Sequence, residues 1–402
     1  MFAYSSRGSR VGVTPAALLA VWLCACGGEA PQATPASPGV SGGAIAGTLE
    51  VRVIDAVTGL SVDAPSVRVL PQGREDLMLS GPASTFELSD PELAGPFTVE
   101  VGATSWGLLE GASVVLPIGR VPAPTQVPIE VRGLLPGEAA VHVDGFRPAR
   151  IASMNPLTLG AMVASTREGS VASTTFVQSA PDAPQVAVVI VGEDGIVQSF
   201  ALADLAGGAV ELGAERFAAV RVAVTWPGPP AFADRVVGVP GLALASTFAI
   251  LPQESSDHVM VPSPDAIAPD ARVWFVAEAR GGALGETARS VVVQRGVANL
   301  GIAPSFPDWL EAPDARVEGG AVRITPSADA PLLIVDWLDA ERARIGQTWR
   351  VQAGTSELTL SAPAGAVTAI VRAYDTPIDP SGFELVVIDA TIRRFSERTL
   401  PL

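Results

Sequence analysis

The chain has 402 residues, 48% of them hydrophobic against 17% charged, and a formal net charge of −16. That is enough apolar mass to bury several cores, so global disorder is excluded, and the acidic balance opposes contact with nucleic acid and with anionic lipid headgroups. All 26 basic residues are arginine, which rules out Schiff-base, pyridoxal-binding and P-loop lysines.

Arg7 and Arg10 precede a short apolar run from Val11 to Leu23, and Leu23-Cys24-Ala25-Cys26-Gly27 forms an acceptable lipobox. The run is shorter than the about 20 residues of a membrane span and Thr14-Pro15 interrupts it, so residues 1–25 read as an export signal. Cleavage before Cys26 would leave its thiol to carry acyl chains such as palmitate. Each buried methylene contributes about 0.8 kcal/mol and about two chains hold a protein stably, so membrane lipid is the first expected partner. Gly27, in place of an acidic residue, resembles the outer-membrane sorting class, with the periplasmic or surface face left open. Cys24 leaves with the signal, so no disulfide or cysteine-based zinc site is expected in the mature chain. Residues 26–46, rich in Gly, Pro, Ala and Ser, read as a tether with a reach of roughly 25 Å.

From Leu49 onward short apolar or alternating runs are separated by Gly, Pro and Asp, and few segments carry a helical period. Leu49 to Ile54, Ser66 to Leu70, Phe97 to Val101, Gln185 to Val191, Phe217 to Thr225, Ala271 to Ala277, Ser290 to Val293, Leu332 to Trp337, Ala366 to Ala373 and Glu384 to Ile388 have the length and Val-rich make-up of strands. Glu193-Asp194-Gly195 is a hairpin signal, and Asp144-Gly145 after the alternating Ala140 to Val143 is a second. Val236 to Gln253 lacks charge, but Pro240-Gly241, Ser246-Thr247 and Pro252 argue for two strands and a turn rather than a span. Pro and Gly clusters near Gly133, Pro227 to Pro230 and Ser305 to Pro307 mark four units, 47–133, 134–228, 229–306 and 307–402, of which the middle two could form one larger sandwich. The expected class is all-β, with tandem immunoglobulin-like or transthyretin-like sandwiches after the signal and tether.

Gly47 to Asp55, Thr58-Gly59 and Ala64 to Val69 follow the order of a strand ending in Asp, a Thr-Gly turn and a second strand opening after small residues. Phe86 to Leu88, Leu93 to Gly95 and Phe97 to Val101 continue the pattern. These residues resemble the carboxypeptidase regulatory-like family, a transthyretin-like β-sandwich, with Leu60 where that family usually has Pro. The resemblance implies a structural or accessory role and brings no catalytic residues. Val51, Val53, Val67 and Val69 alternate onto one core face. Asp308 to Phe395 resembles a fibronectin type III module, with Trp337 and Tyr374 as its core aromatics.

The two histidines, His142 and His258, stand apart, without the spacing of a zinc site. His142 alternates with Val141 and Val143 and is expected on a solvated face. His258 follows Ser255-Ser256-Asp257, but neighbours along a strand point to opposite faces, so adjacency builds no catalytic triad, and no Gly-x-Ser-x-Gly elbow is present. Asp265 to Asp270 and Asp314 to Glu318 lack the order of a calcium loop and read as solvated loops. Trp274 and Trp337 are expected in cores, Trp226 and Trp309 at domain junctions, and Trp106 exposed.

The chain is therefore expected to be a noncatalytic cell-envelope lipoprotein, acting as a spacer or scaffold for an unidentified envelope protein. Lipidation at Cys26 is its one expected site, with no metal, cofactor or catalytic residue and no nucleic-acid partner. The alternative is a carbohydrate- or peptidoglycan-binding module, aided by calcium, with glycan as the ligand.

Overall fold

The computed structural model describes residues 47–55, 60–90, 93, 96–118, 125–148, 166–178, 185–244, 247–251, 257–282, 287–297, 303–351, 356–375 and 394–402. Cys26, the signal and tether, the Thr58-Gly59 turn and the expected strand Glu384 to Ile388 lie outside them.

The first seven strands are β1 (Thr48–Asp55), β2 (Ala64–Pro71), β3 (Leu77–Ala83), β4 (Thr85–Ser89), β5 (Phe97–Val101), β6 (Thr104–Leu109) and β7 (Ser113–Ile118). Strand β1 pairs antiparallel with β4 and parallel with β7, while β3, β2, β5 and β6 follow one another antiparallel. The valines at alternate positions of β1, β2 and β5 point between these two layers, where Val51, Val53, Val67, Val69 and Val99 are buried together. The expected alternation thus places both layers around one core.

The middle of the chain supplies β8 (Thr125–Arg132), β9 (Glu138–Gly145), β10 (Arg147–Pro148), β11 (Thr166–Glu168), β12 (Val171–Gln178), β13 (Gln185–Gly192), β14 (Val197–Ala206), β15 (Ala209–Glu211), β16 (Phe217–Ala223), β17 (Arg235–Leu244), β18 (Thr247–Ile250), β19 (His258–Pro262), the one-turn helix α1 (Pro264–Ile267), β20 (Arg272–Gly281) and β21 (Thr287–Val297). Strand β8 precedes Gly133 yet pairs with β12 and β15, which follow it. The sheet runs β11-β12-β8-β15-β14-β13-β9, and its last strand packs beside its first two, so it curls nearly shut. Val131, Val141, Val143, Val186, Val188 and Ile190 fill its interior. The opposite face of β13 carries Ala187 and Val189 into a separate core with Leu242, Ala249 and Leu251. Residues 185–192 read as a continuous apolar run because both faces of this strand are covered.

Glu193-Asp194-Gly195 makes the expected hairpin between β13 and β14, with Gly195 at φ +78° and the Asp194 carboxylate accepting the Ile196 N–H at 3.0 Å. Asp144-Gly145 does not turn. Both residues lie within β9 opposite Ala187 and Val186, and the buried Asp144 carboxylate accepts the Ile250 N–H at 2.6 Å. Pairing along β13 and that inter-sheet bond outweigh the turn preference of Asp-Gly. Within the charge-free stretch the described residues form the expected two strands, β17 and β18, paired antiparallel, while 245–246 and 252–253 lie outside the described residues. No helix among the described residues is long and apolar enough to cross a membrane.

The last strands are β22 (Asp314–Glu318), β23 (Ala321–Thr325), β24 (Leu332–Leu338), β25 (Arg344–Val351), β26 (Leu358–Ser361), β27 (Thr368–Tyr374) and β28 (Arg394–Pro401). A three-strand layer, β22-β23-β26, faces a four-strand layer, β25-β24-β27-β28, across a core that contains Trp337, Val335, Val371 and Leu360. Tyr374 is equally buried but turns to the other side of the four-strand layer, where it stacks on Phe395 with ring centroids 5.8 Å apart.

All-β architecture is thus correct, but tandem self-contained sandwiches do not describe the pairing. One thirteen-stranded sheet runs β10-β18-β17-β20-β21-β28-β27-β24-β25-β6-β5-β2-β3. Besides the two-residue pairing of β10 with β18, two seams in it join units that the Pro and Gly clusters separate. Strand β21 pairs antiparallel with β28, and β25 pairs parallel with β6. At the second seam Trp349 lies directly opposite Trp106, with ring centroids 6.5 Å apart, and both are buried in one apolar cluster that extends across the sheet. An edge strand exposes unpaired backbone groups, and at each seam a strand of another unit covers that edge.

Candidate functional site

Several sequence-marked residues find different settings from those expected. Trp106 is 2% exposed, because Gly107 lets the Arg350 side chain pass and Trp349 covers the ring. The exposure expected of this ring is therefore not found. His142 points away from Val141 and Val143, but the face it reaches is the second core of β13, and burial pushes its pKa down. His258 does bond to its neighbour, Nδ1 to Asp257 Oδ1 at 2.7 Å, because Asp257 lies just outside β19 and escapes the alternation. Asp257 is 84% exposed there, and Ser255 and Ser256 lie outside the described residues. Asp314 to Glu318 is strand β22, with Glu318 paired to Arg323 at 3.0 Å. Asp265 sits in α1 and Asp270 in the turn that follows it. Among the described residues no group of three or more His, Cys, Asp or Glu is placed to hold a metal ion. Trp274 and Trp337 are buried, Trp226 packs on Phe306, and Trp309 donates Nε1–H to the Gly228 carbonyl at 2.6 Å.

The densest polar chemistry lies elsewhere, on the thirteen-stranded sheet. Trp274, Val276, Glu278 and Arg280 share one face of β20; the two apolar residues enter the large core and the two charged ones continue the row. The same change from apolar to charged occurs on β21, where Arg289 precedes Val291, and on β28, where Glu397 follows Phe395. Strand register brings these charges into a belt. Arg289 lies opposite Glu397, and Glu397 opposite Arg372 of β27. Arg372 Nε donates to Glu397 Oε2 at 2.8 Å and Nη1 donates to Asp336 of β24. Gln347 Nε2 donates to Asp336 Oδ1 at 2.6 Å and Gln347 Oε1 accepts from Trp349 Nε1 at 2.8 Å, which ties the belt to the tryptophan seam. At the other end Arg289 Nε donates to Glu278 Oε1 at 2.7 Å, and Arg280 Nε donates to the same oxygen.

Burial alone would weaken the hold of Arg372 on its proton, but Asp336 and Glu397 outweigh it and raise the pKa. Burial would likewise raise that of Glu397, and the opposing attraction of Arg372 and Arg289 holds it below the ordinary 4.5. Both Glu397 and His142 therefore bind protons less readily in the folded chain than in the unfolded one. Stability is complete above their ordinary values and falls as pH drops, starting near 6.5 for His142 and near 4.5 for Glu397. In urea titrations across this range His142→Phe is expected to flatten the upper fall and Glu397→Gln the lower one. Unchanged slopes would contradict these assignments.

The belt opens at its β20–β21 end into a pocket of about 480 Å³, lined by Asp234, Arg235, Arg280, Thr287, Arg289 and Glu397 together with Gly281, Gly282 and Ala288. Neither histidine lines it. Its side chains can bind and orient a polar ligand through charge and hydrogen bonds. No protein-family model and no curated protein matches the chain. Among solved structures it is similar to the product complex of a multi-modular glycogen-degrading pneumococcal virulence factor, SpuA, at 11% identity and a TM-score of 0.13. The match covers 84% of this chain and spans 37% of that one, and so low a score carries no argument about fold or function.

Proposed function

We propose that this chain is a noncatalytic lipoprotein of the cell envelope, anchored at the outer membrane through acylated Cys26, whose joined β-layers form a rigid binding scaffold. The continuous sheet carries this reading, because strand pairs and a buried charge belt resist bending where a string of separate sandwiches would flex. The three-over-four strand layers of residues 48–118 and 314–401 support the transthyretin-like and fibronectin type III-like resemblances. An envelope protein is the partner in this reading. The second reading, a carbohydrate- or peptidoglycan-binding module, is favoured by the charged pocket over a bare spacer. Its calcium-assisted form has no support from the described acids.

Membrane fractionation of cells expressing the full chain tests the anchor. Cys26→Ser is expected to move the protein from the membrane to the soluble fraction with its circular dichroism unchanged. Retention of the Ser variant on membranes would overturn the anchor, and pull-down of the wild-type chain with no envelope protein would overturn the scaffold.

A further inference from the structure

We infer that the pocket at the β20–β21 end of the belt binds an acidic sugar residue, with Arg289 and Arg280 receiving its carboxylate and Asp234 and Glu397 receiving its hydroxyls. This rests on the carbohydrate-binding reading and narrows its ligand class.

Two observations lead here independently. The first is the pocket, whose described lining sets three guanidiniums, those of Arg235, Arg280 and Arg289, beside two carboxylates, those of Asp234 and Glu397, with Glu278 paired to Arg280 and Arg289 behind them. The second is a saturation gap in the wall. Arg289 is 6% exposed, and while its Nε is bonded to Glu278 and its Nη1 faces Glu397 at 3.9 Å, its Nη2 has no hydrogen-bond partner. Behind it Glu278, 1% exposed, leaves Oε2 equally without one. A buried unsatisfied donor is costly, and of the belt's buried atoms without a hydrogen bond those of Arg289 and Glu278 lie at its pocket end. A ligand oxygen would remove the cost once the Arg289 side chain turned Nη2, which is closed to solvent, toward the pocket.

The mixture of groups sets the ligand class. A simple carboxylate would satisfy the arginines and be repelled by Asp234 and Glu397. A neutral sugar would bond the carboxylates but bring no charged acceptor to the arginine donors, whose hydrogen bonds to a carboxylate are stronger than those to a hydroxyl. No aromatic side chain among the described residues lines the pocket, so ring stacking from them does not favour neutral sugars here. A zwitterionic amino acid would also serve both sets of groups, and titration with alanine separates it from the sugar. A uronic acid carries a carboxylate for the arginines and hydroxyl donors for the acids on one small ring, and the pocket volume lies within the usual range for small-molecule sites.

Isothermal titration of the mature chain with methyl glucuronoside, methyl glucoside, acetate and alanine tests this. The expected order is glucuronoside first, with the others at least about tenfold weaker, and weaker glucuronoside binding at higher salt. Arg289→Lys keeps the charge but loses the fork, and is expected to weaken glucuronoside binding about tenfold or more. Arg235→Ala, at an exposed position that leaves the belt intact, is expected to weaken it as well, which keeps the test open if the first variant fails to fold. Tightest binding of acetate or alanine would overturn the inference. So would glucuronoside binding that both variants leave unchanged. Binding of glucoside and glucuronoside alike would overturn the acidic-sugar assignment while leaving the carbohydrate reading intact, and absence of binding to every sugar, including peptidoglycan fragments, would remove both.

Discussion

Arg372→Leu is expected to lower the stability of the folded chain by about 3–5 kcal/mol, the usual cost of removing one partner from a buried charge pair. Arg372 is fully buried between Asp336 and Glu397, and its loss leaves two carboxylates facing each other across β27 without a cation between them. The large term is the stranded charge rather than the lost attraction. A triple variant, Arg372→Leu with Asp336→Leu and Glu397→Leu, is therefore expected to recover most of the loss, since well-packed apolar replacements of buried ion groups are often neutral. Arg323→Ala supplies the contrast. Its pairs with Glu318 and Glu357 are exposed, and it is expected to cost less than about 1 kcal/mol. Urea unfolding at pH 7 of all three variants decides the matter. Equal losses for Arg372→Leu and Arg323→Ala would show that the belt is not buried as described.

Trp349→Ala carries the second large effect, an expected loss of about 3–5 kcal/mol for a buried tryptophan replaced by alanine. The cavity opens directly beside Trp106 of the first unit, and the Nε1–H bond to Gln347 is lost with it. Because the ring bridges two units, its removal is expected to change cooperativity as well as stability. Calorimetry of the wild-type chain should show residues 47–118 melting with the terminal layers. In Trp349→Ala the first unit is expected to melt as a separate, earlier transition. Trp349→Phe, which keeps an apolar ring at the seam, should restore most of the coupling. A wild-type melt already divided into independent transitions would contradict the seam.

Much of the strand content was legible because the valine alternation is local. Val51, Val53, Val67 and Val69 face one core for reasons contained in residues 48–71. The hairpin at Asp194-Gly195 was legible for the same reason. The belt was not, since Glu278, Arg289, Asp336, Arg372 and Glu397 come together only through the register of distant strands. A signal was present nonetheless: Asp336 inside Leu332 to Leu338, and Arg372 inside Ala369 to Tyr374, are ionisable residues in otherwise apolar strands, and such residues need partners when buried. Trp106 misled through its neighbours, because Ser105 and Gly107 suggest a turn whereas Gly107 makes room for Arg350. The seams escaped notice because Pro and Gly clusters report where the chain turns, and carry nothing about which edge strand a later segment will cover.

Hydrogen exchange of the backbone amides in β6 and β25 of the wild-type protein bears most directly on the claim that one sheet joins the units. A paired seam predicts that amides of Thr104–Leu109 and Arg344–Val351 are protected to a similar degree and lose protection together in Trp349→Ala. If the amides of either strand that face the seam exchange at the rate of a solvent-exposed edge in the wild-type protein, the units are separate sandwiches and the rigid scaffold is wrong.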